Sequence, residues 1–205
     1  MRSDFAGPNR QVSANPPPST ARSTPDEALI EKIASGNRLA MQVLFTRHQA
    51  RIFRFVLRLV RDRELAEDLT SDVFLTVWRQ AHRFEARAAA TTWLLAIARY
   101  TALAELRRRA RSPGDDAGTE ASDPADNPEA LFETKRRGEI LRKCLTRLSR
   151  EHREIIDLVY YHEKSVQEVA AIVGIPGNTV KTRMFYARRR LSELLQAEGV
   201  AGALS

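Results

Sequence analysis

The 205-residue sequence has few of the residues that build disulfide-rich, metal-binding or membrane-spanning proteins. Its single cysteine, Cys144, excludes an internal disulfide and a multi-cysteine zinc site, and its four histidines are scattered without metal-ligand spacing. No apolar run approaches the roughly 20 residues that cross a bilayer, and the N-terminal stretch lacks the apolar core of a signal peptide. We therefore expect a cytoplasmic protein with no cofactor, no metal and no membrane insertion.

Catalytic signatures are also missing from the sequence. It contains no phosphate-binding loop, no nucleophile elbow and no paired carboxylates at the spacing of an acid–base site. Positive charge, in contrast, is in excess, since 33 Lys and Arg oppose 26 Asp and Glu. The resulting net charge of +7 favours a polyanionic partner, either nucleic acid or, less specifically, an anionic membrane. The composition thus predicts a binding protein rather than an enzyme.

Two polar, proline-containing segments divide the chain. Residues 1–23 include three consecutive prolines, and residues 111–128 combine proline, glycine and acidic residues with almost nothing apolar to bury. The stretches between them, 24–110 and 129–198, show helical periodicity and no convincing period-two strand. We expect an all-α fold of two helical domains joined by a flexible acidic linker. A disordered extension would precede them, and a short tail, 199–205, would follow.

The second domain carries a helix-turn-helix pattern. Ser165 and Glu168 stand at capping-box spacing before an apolar run that ends at Gly174, a residue suited to closing a helix. After a short turn, Asn178 is placed as the N-cap of the next helix. Two upstream helices should pack behind the motif through Leu141, Leu145, Leu148, Ile155, Ile156 and Val159.

The second helix of this motif is basic and aromatic outside its apolar stripe. Arg and Lys can neutralise phosphates or bond guanine edges, and Thr and aromatic side chains can contact thymine methyls and sugars. A solvated basic helix is the competing interpretation, but the capped helix and tight turn before it favour a helix that lies in the major groove. The apolar stripe is Val180, Met184, Ala187, Leu191 and Leu194. The expected DNA contacts are Asn178, Thr179, Lys181, Thr182, Arg183, Phe185, Tyr186, Arg188 and Arg189.

An acidic stripe follows one predicted helix of the first domain. Glu64, Asp68 and Asp72 succeed one another at four-residue spacing, opposite an apolar face that runs from Ala66 to Val77. Like charges at this spacing destabilise an isolated helix by roughly 0.2–0.5 kcal/mol per pair. The stripe is therefore either a solvated face or a docking surface for a basic partner, and the pattern alone favours the solvated face.

Three segments, in chain order, carry a family resemblance. "AEDLTSDVFLTVW" resembles region 2.2, the polymerase-binding segment of bacterial sigma-70 family sigma factors, and is closest to the extracytoplasmic-function (ECF) group. "FEARAAATTWLLAIARYTALAELRRR" resembles the region that melts and reads the −10 element. The segment from "LSREHREIIDLVYYHEKSVQEVA" through "RRRLSELL" is similar to the −35-reading domain of that group. Together the matches cover about residues 26–110 and 130–196.

The resemblance implies a role for each segment. The acidic stripe would dock on the β′ clamp helices of core RNA polymerase, and the β subunit would also contact the protein. The loop before Trp93 would capture a flipped base. Tyr100 stands where many relatives have Asn, which leaves the −10 base preference open. The implied polymerase-binding residues are Glu64, Asp68, Leu69, Asp72 and Trp78. The implied −10 contacts are Phe84, Arg87, Thr92, Trp93, Arg99, Tyr100, Arg107 and Arg108, and the DNA contacts given above would read the −35 element.

The function implied by the resemblance is that of an ECF sigma factor. Such a protein is a dissociable promoter-specificity subunit that directs core polymerase to −35 and −10 elements and promotes DNA opening. Its expected partners are core RNA polymerase, promoter DNA and a cognate anti-sigma factor. The alternative is a stand-alone helix-turn-helix regulator whose first domain dimerises or binds a ligand. Such a regulator has no need of the acidic stripe and the aromatic-basic segment that follows it.

Overall fold

The computed structural model describes residues 24–111 and 132–199, which we call the first and second halves. The described residues are mainly helical and contain no strand, so the expected all-α class is confirmed. The predicted extension, and all but one residue each of the predicted linker and the predicted tail, lie outside the described ranges. The first half contains α1 (Asp26–Ala34), α2 (Arg38–Val60), α3 (Arg63–Gln80), a 3-10 turn (Ala81–Arg83) and α4 (Ala90–Arg111). The second contains α5 (Phe132–Thr146), α6 (Arg150–Ile156), a π-helical turn (Asp157–Tyr161), α7 (Val166–Val173) and α8 (Gly177–Ala197).

Side-chain caps set the boundaries of the long helices in the first half. The Asn37 side chain accepts a hydrogen bond from the Ala40 backbone N–H at 3.0 Å where α2 begins. Asp62 does the same for the Leu65 N–H at 3.1 Å where α3 begins. Between these helices Arg61 adopts φ +59, a left-handed conformation that turns the chain back on itself. These short connections hold α2 and α3 side by side.

One apolar cluster runs through both halves of the chain. It joins buried residues of α1–α4 to buried residues of α6, the π-helical turn, α7 and the first turn of α8. Its fully buried members include Phe55 and Leu94 of the first half and Ile155 and Leu158 of the second. Because burial of apolar area is the main stabilising term in folding, the two halves support each other through this shared core.

A smaller apolar cluster holds α5 against α8. It contains Leu148 and Ile156, with Leu145 packed against it, as predicted, whereas Ile155 and Val159 face the larger cluster. Leu141 is 40% exposed, so its expected place behind the helix-turn-helix motif was wrong, because α5 presents its other face to α8. Cys144 is fully buried in this cluster, and that burial raises the pKa of its thiol. No described helix combines the length and apolar character needed to cross a bilayer.

Candidate nucleic-acid interface

The helix-turn-helix motif forms largely as its sequence predicts. Ser165 and Glu168 make a reciprocal capping box: the Ser165 N–H donates to Glu168 Oε2 at 3.0 Å, and the Glu168 N–H donates to Ser165 Oγ at 3.3 Å. Helix α7 ends at Gly174, whose φ of +73 is strained for a residue with a Cβ. Together these features fix where α7 begins and ends, and hence where the turn delivers the chain into α8.

The start of α8 differs from the prediction. Asn178 is not the N-cap, because α8 begins at Gly177 and Pro176 occupies the capping position without a side-chain cap. The reason is that Pro176 is already extended and its carbonyl accepts from the Thr179 and Val180 N–H groups at 2.9 and 3.1 Å. Asn178 therefore lies exposed in the first helical turn, where the backbone donors of a helix N-terminus also point outward. Both Asn178 and Thr179 stay at the end of α8 that a groove-binding helix presents first.

The outward face of α8 is exposed as predicted. The residues of its apolar stripe are buried or half-buried, whereas Phe185 and Tyr186 are 62% and 52% exposed. The two rings pack edge to face, with centroids 5.4 Å apart, so they stand together as one aromatic surface. An exposed pair of large aromatic side chains in contact with each other is a feature typical of contact surfaces. The other exposed predicted contacts are Lys181, Thr182, Arg188 and Arg189, and Arg183 is half-buried.

Arg188 is held by a residue outside α8. Its Nε donates a hydrogen bond to the hydroxyl of Tyr160, and its guanidinium carbon lies 5.4 Å from the centroid of the Tyr160 ring. Arg188 nevertheless remains exposed. Arg189 instead pairs with Glu193 at 3.3 Å, a surface ion pair of a kind that contributes little to stability and can exchange for a phosphate.

The acidic stripe of α3 is exposed along its length. Glu64, Asp68 and Asp72 all face solvent, and Leu75, one turn beyond Asp72, is 52% exposed. Sequence reasoning missed Leu75, although an apolar side chain in the same helical row as the acids is a readable signal. Leu69, in contrast, is only 5% exposed and belongs to the core, so its predicted contact with polymerase stays a prediction. Trp78 packs against the same core as a half-buried residue.

A short loop, 84–89, separates the 3-10 turn from α4. The ring centroids of Phe84 and Trp93 are 5.2 Å apart, so the first residue of the loop is braced against the first turn of α4. Glu27 of α1 accepts a hydrogen bond from the Ala90 N–H at 3.0 Å and thereby caps α4. Between these fixed ends, the Arg87 side chain is 85% exposed. The loop is thus anchored at both ends and open at its tip, an arrangement that is suitable for a pocket that captures a nucleobase.

Along α4 the predicted −10 residues are divided between an exposed and a covered group. Tyr100 is 70% exposed, and Arg107 and Arg108 also face solvent. Thr92 is 2% exposed, and the Arg99 side chain is 21% exposed. The covered group lies where the second half of the chain packs against α4.

A hydrogen-bonded cluster connects the start of α4 to α7. The Thr92 hydroxyl donates to Glu168 Oε1 at 2.6 Å and accepts from Lys164 Nζ at 3.0 Å. Lys164 Nζ also donates to Thr91 Oγ1 at 2.7 Å and to Glu168 Oε1 at 2.8 Å. Burial raises the pKa of Glu168, but hydrogen bonds led by that from Lys164 outweigh it and bring the pKa to about 2. The Glu168 carboxylate is therefore charged at neutral pH.

Two ion pairs extend this contact between the halves. Arg99 donates to both oxygens of Glu154 in α6, at 2.6 and 3.4 Å, and Arg58 of α2 pairs with Asp157. No pattern in the sequence identified Glu154, Asp157, Lys164 or Glu168 as contacts between the halves. A partial signal was present, because the apolar run "EIIDLV" places Asp157 where it would be buried, and a buried carboxylate requires a partner.

Comparison with known proteins gives two family matches in chain order. Sigma-70 region 2 matches residues 44–112, and Sigma-70, region 4 matches residues 144–193. These ranges contain, respectively, α3 with α4 and the helix-turn-helix motif. The ECF RNA polymerase sigma factor SigL of Mycobacterium tuberculosis is 31% identical over an alignment 179 residues long, which covers 84% of this chain and 98% of that protein.

Two solved structures show a similar arrangement of helices. CnrH, solved in complex with the cytosolic domain of CnrY, is 25% identical with a TM-score of 0.62, over 84% of this chain and 97% of that one. The sigma factor RpoE of Bartonella quintana, solved with the anti-sigma factor NepR, is 28% identical with a TM-score of 0.61. That match covers 76% of this chain and 96% of RpoE.

Proposed function

Because this chain belongs to the extracytoplasmic-function group of the sigma-70 family, we propose that it directs core RNA polymerase to its promoters and opens them there. The observation that carries the assignment is the presence of two separate, chemically suited surfaces on the matched regions. An exposed acidic stripe lies on α3, and an exposed basic and aromatic face lies on α8. A DNA-binding regulator needs only the second surface. The protein acts as an initiation factor, not as an enzyme, and its place is with polymerase in the cytoplasm.

We assign −35 reading to α8. Lys181, Arg183 and Arg188 flank the exposed aromatic pair and serve as phosphate contacts, which position the helix without reading sequence. Thr182, Phe185 and Tyr186 point away from the core and reach the base edges. Asn178 and Thr179 lie in the first turn of α8 and bring the N-terminus of the helix to the phosphate backbone of the DNA.

We assign −10 recognition to the loop 84–89 and α4. The Phe84–Trp93 ring contact braces a pocket for an extruded base, whose unstacking cost is offset by contacts within the pocket. Arg87 lies at the open tip, and Tyr100 and Arg107 lie farther along the exposed side of α4. Arg108 also belongs to this surface, although it is paired with Glu105 at 2.7 Å in the absence of DNA. Thr92 and Arg99 are the remaining proposed −10 contacts, and they can reach DNA only when the second half of the chain no longer covers them.

Polymerase docking belongs to α3, where Glu64, Asp68 and Asp72 form an exposed row that ends one turn before an exposed apolar residue, Leu75. Charged and apolar side chains occur together in protein interfaces, in which the charges steer association and the apolar contact supplies affinity. The β′ clamp helices are the proposed partner, and the β subunit provides further contacts. Since both structural neighbours were solved with a partner of their own, a cognate anti-sigma factor is the proposed inhibitor.

Run-off transcription tests this function directly. Promoters are selected from a random library with core polymerase and the parent protein, and transcripts are then measured with Asp68→Arg plus Asp72→Arg. We expect the double variant to lose transcripts and core affinity while retaining binding to −35 duplex DNA. Glu31→Arg plus Glu163→Arg, which makes the same change of charge at exposed positions outside α3, should behave like the parent. Failure of the parent protein to yield any promoter with core polymerase would instead favour a stand-alone regulator.

A further inference from the structure

We propose that Tyr160 and Arg188 form one binding site for a single phosphate of the DNA that α8 contacts. The proposal rests on the assignment of −35 reading to α8. In this site Tyr160 holds the Arg188 guanidinium in place, and the two side chains donate hydrogen bonds to the same phosphate group. Tyr160 lies outside α8, on the π-helical turn that follows α6, and no pattern in the sequence marked it as a DNA contact.

The π-helical turn brings Tyr160 to the edge of α8. Four residues earlier, Ile156 is buried in the cluster that holds α5 against α8, and a regular α-helix would direct Tyr160 to the same side. The His162 N–H donates to the Asp157 carbonyl five residues back, at 3.1 Å, which makes this turn one residue wider than an α-helical turn. Tyr160 contacts Arg188 at the rim of the cluster and remains 49% exposed.

The contact between the two side chains leaves hydrogen-bond donors unused on both of them. The Arg188 Nε donates to the hydroxyl oxygen of Tyr160. A guanidinium carries five N–H donors, and this bond uses one of them. Because the hydroxyl accepts in this bond, its own hydrogen is free for another acceptor. In the described part of the chain, Tyr160 is the sole hydrogen-bonding partner of Arg188, so the remaining donors are available to a ligand.

A neutral partner distinguishes Arg188 from two neighbouring arginines of α8. Arg189 and Arg190 both pair with Glu193, at 3.3 and 3.1 Å, so a phosphate that binds either arginine must displace a carboxylate. The Tyr160 hydroxyl holds the Arg188 side chain without neutralising its charge. It also reduces the side-chain entropy that is lost when a phosphate binds. The charge of Arg188 is therefore uncompensated and already ordered before an anion arrives.

Neighbouring residues of α8 indicate which anion this site binds. Lys181 and Phe185 precede Arg188 by seven and three residues, spacings that place all three on one side of the helix. Lys181 is exposed, and Phe185 is the exposed aromatic residue assigned above to a base edge. In duplex DNA the backbone phosphates flank the base edges, and arginine and tyrosine are both donors to them. A phosphate held by Tyr160 and Arg188 therefore fixes the position of Phe185 along the bases.

The test measures DNA binding by the full chain. A duplex is selected by the protein from random-sequence DNA, and its phosphates are then replaced one at a time by uncharged methylphosphonates. Tyr160→Phe removes the hydroxyl and keeps the ring, Arg188→Ala removes the guanidinium, and a third protein carries both changes. Tyr161→Phe is the matched control, since the Tyr161 hydroxyl accepts from Arg54 of the first half instead of from α8.

We expect Tyr160→Phe to weaken binding about two- to tenfold, the range that corresponds to one net hydrogen bond, and Tyr161→Phe to bind like the parent. The losses in Tyr160→Phe and Arg188→Ala should not add in the double variant, since both changes remove parts of one site. One methylphosphonate should weaken the parent and leave the double variant unaffected. At that same position the difference between the parent and Tyr160→Phe should disappear.

Equal affinities of Tyr160→Phe and the parent would overturn the proposal, as would additive losses in the double variant. The proposal is also wrong if different phosphates abolish the effects of Tyr160→Phe and of Arg188→Ala. Base preference is a separate readout for the assignment on which the proposal rests, because a protein that enriches no sequence from the random pool does not read the −35 element. In that case the affinities of the variants for the unselected pool still decide on the phosphate site, since phosphate contacts do not depend on sequence.

Discussion

The two proposed DNA-reading surfaces of this protein differ in how much of them is available. On α8 the residues assigned to base edges stand in water, with Phe185 62% and Tyr186 52% exposed. At the start of α4 the corresponding residues are covered, with Thr92 2% exposed and Arg99 paired to Glu154. A rigid helix presents its outward residues without any other change, whereas a surface shared with another domain must first be uncovered. The comparison therefore separates a ready contact from one that depends on rearrangement.

The ion pairs of the two surfaces differ in the same way. On α8, Arg189 and Arg190 pair with Glu193 in solvent, where screening leaves such pairs almost without effect on stability. Between the halves, the Glu154 side chain is only 5% exposed. Removing one partner of such a pair leaves a charge that is poorly solvated, and this penalty is large. The exposed pairs can thus exchange for phosphates easily, but the buried pair opposes opening.

The largest effect should come from the apolar seal between the halves. Leu158→Ala removes a fully buried side chain from the shared cluster and should lower the free energy of unfolding by about 2–5 kcal/mol. It should also lengthen the distance between labels on α2 and α8, because the lost contacts lie between the halves. Leu191→Ala is the control, since Leu191 is buried in the separate α5–α8 cluster. Chemical denaturation and label distances are the measurements.

The two leucine variants should therefore lose comparable stability and differ in distance. A Leu158→Ala protein that unfolds more easily but keeps the short distance would show that polar contacts alone hold the halves together. Equal lengthening in both variants would show that opening follows any loss of stability, and the comparison between the two surfaces would lose its basis.

Sequence periodicity was sufficient to predict the exposed surface of α8, but it did not predict the covered surface at the start of α4. The apolar stripe of α8 fixes which of its sides faces the core, so the exposure of Phe185 and Tyr186 follows from spacing alone. The same rule placed Leu69 on the buried side of α3, and the structure confirms that placement. Periodicity describes one helix at a time, and it therefore predicts burial by the core reliably.

Thr92 shows where this reasoning stops. Its partner Glu168 is 76 residues away along the chain, and nothing in the spacing of either helix specifies that they meet. A hydroxyl and a carboxylate are equally compatible with solvent, so only the packing of the two halves determines their burial. Asn178 illustrates a smaller failure, because the extended conformation of Pro176 moved the start of α8 toward the N-terminus of the motif.

A smaller effect, on the free energy of −35 binding, is expected from single substitutions on the exposed surface of α8. Phe185→Ala or Tyr186→Ala should change the preferred −35 bases, with a cost of about 1–3 kcal/mol at the position each residue reads. Arg188→Ala should weaken binding to all sequences and reduce the salt slope by about one ion. The measurement is binding of the full chain to single-base −35 variants at several salt concentrations. If the aromatic variants kept the parent's base preferences, α8 would be a phosphate-binding element only.

The smallest effect concerns acid, and it compares two carboxylates whose pKa values are both lowered to about 2. Burial raises the pKa of Glu168, and hydrogen bonds led by that from Lys164 lower it further than burial raises it. For Glu105, the hydrogen bond from Arg108 is the largest cause of the lowered pKa, and burial opposes it. Glu168 spans the two halves, whereas Glu105 pairs with arginines of its own helix. Protonation should therefore weaken different contacts in the two cases.

The sign follows from the lowered pKa values. A carboxyl with a folded-state pKa below its ordinary value of 4.5 stabilises the protein fully above about pH 4.5, and that contribution is lost as the pH falls toward 2. In this window the label distance between the halves should lengthen in the parent and in Glu105→Gln. In Glu168→Gln the halves should already be more open at neutral pH and respond less to acid. The same acid response in both variants would mean that the Glu168 carboxylate does not hold the covered surface closed.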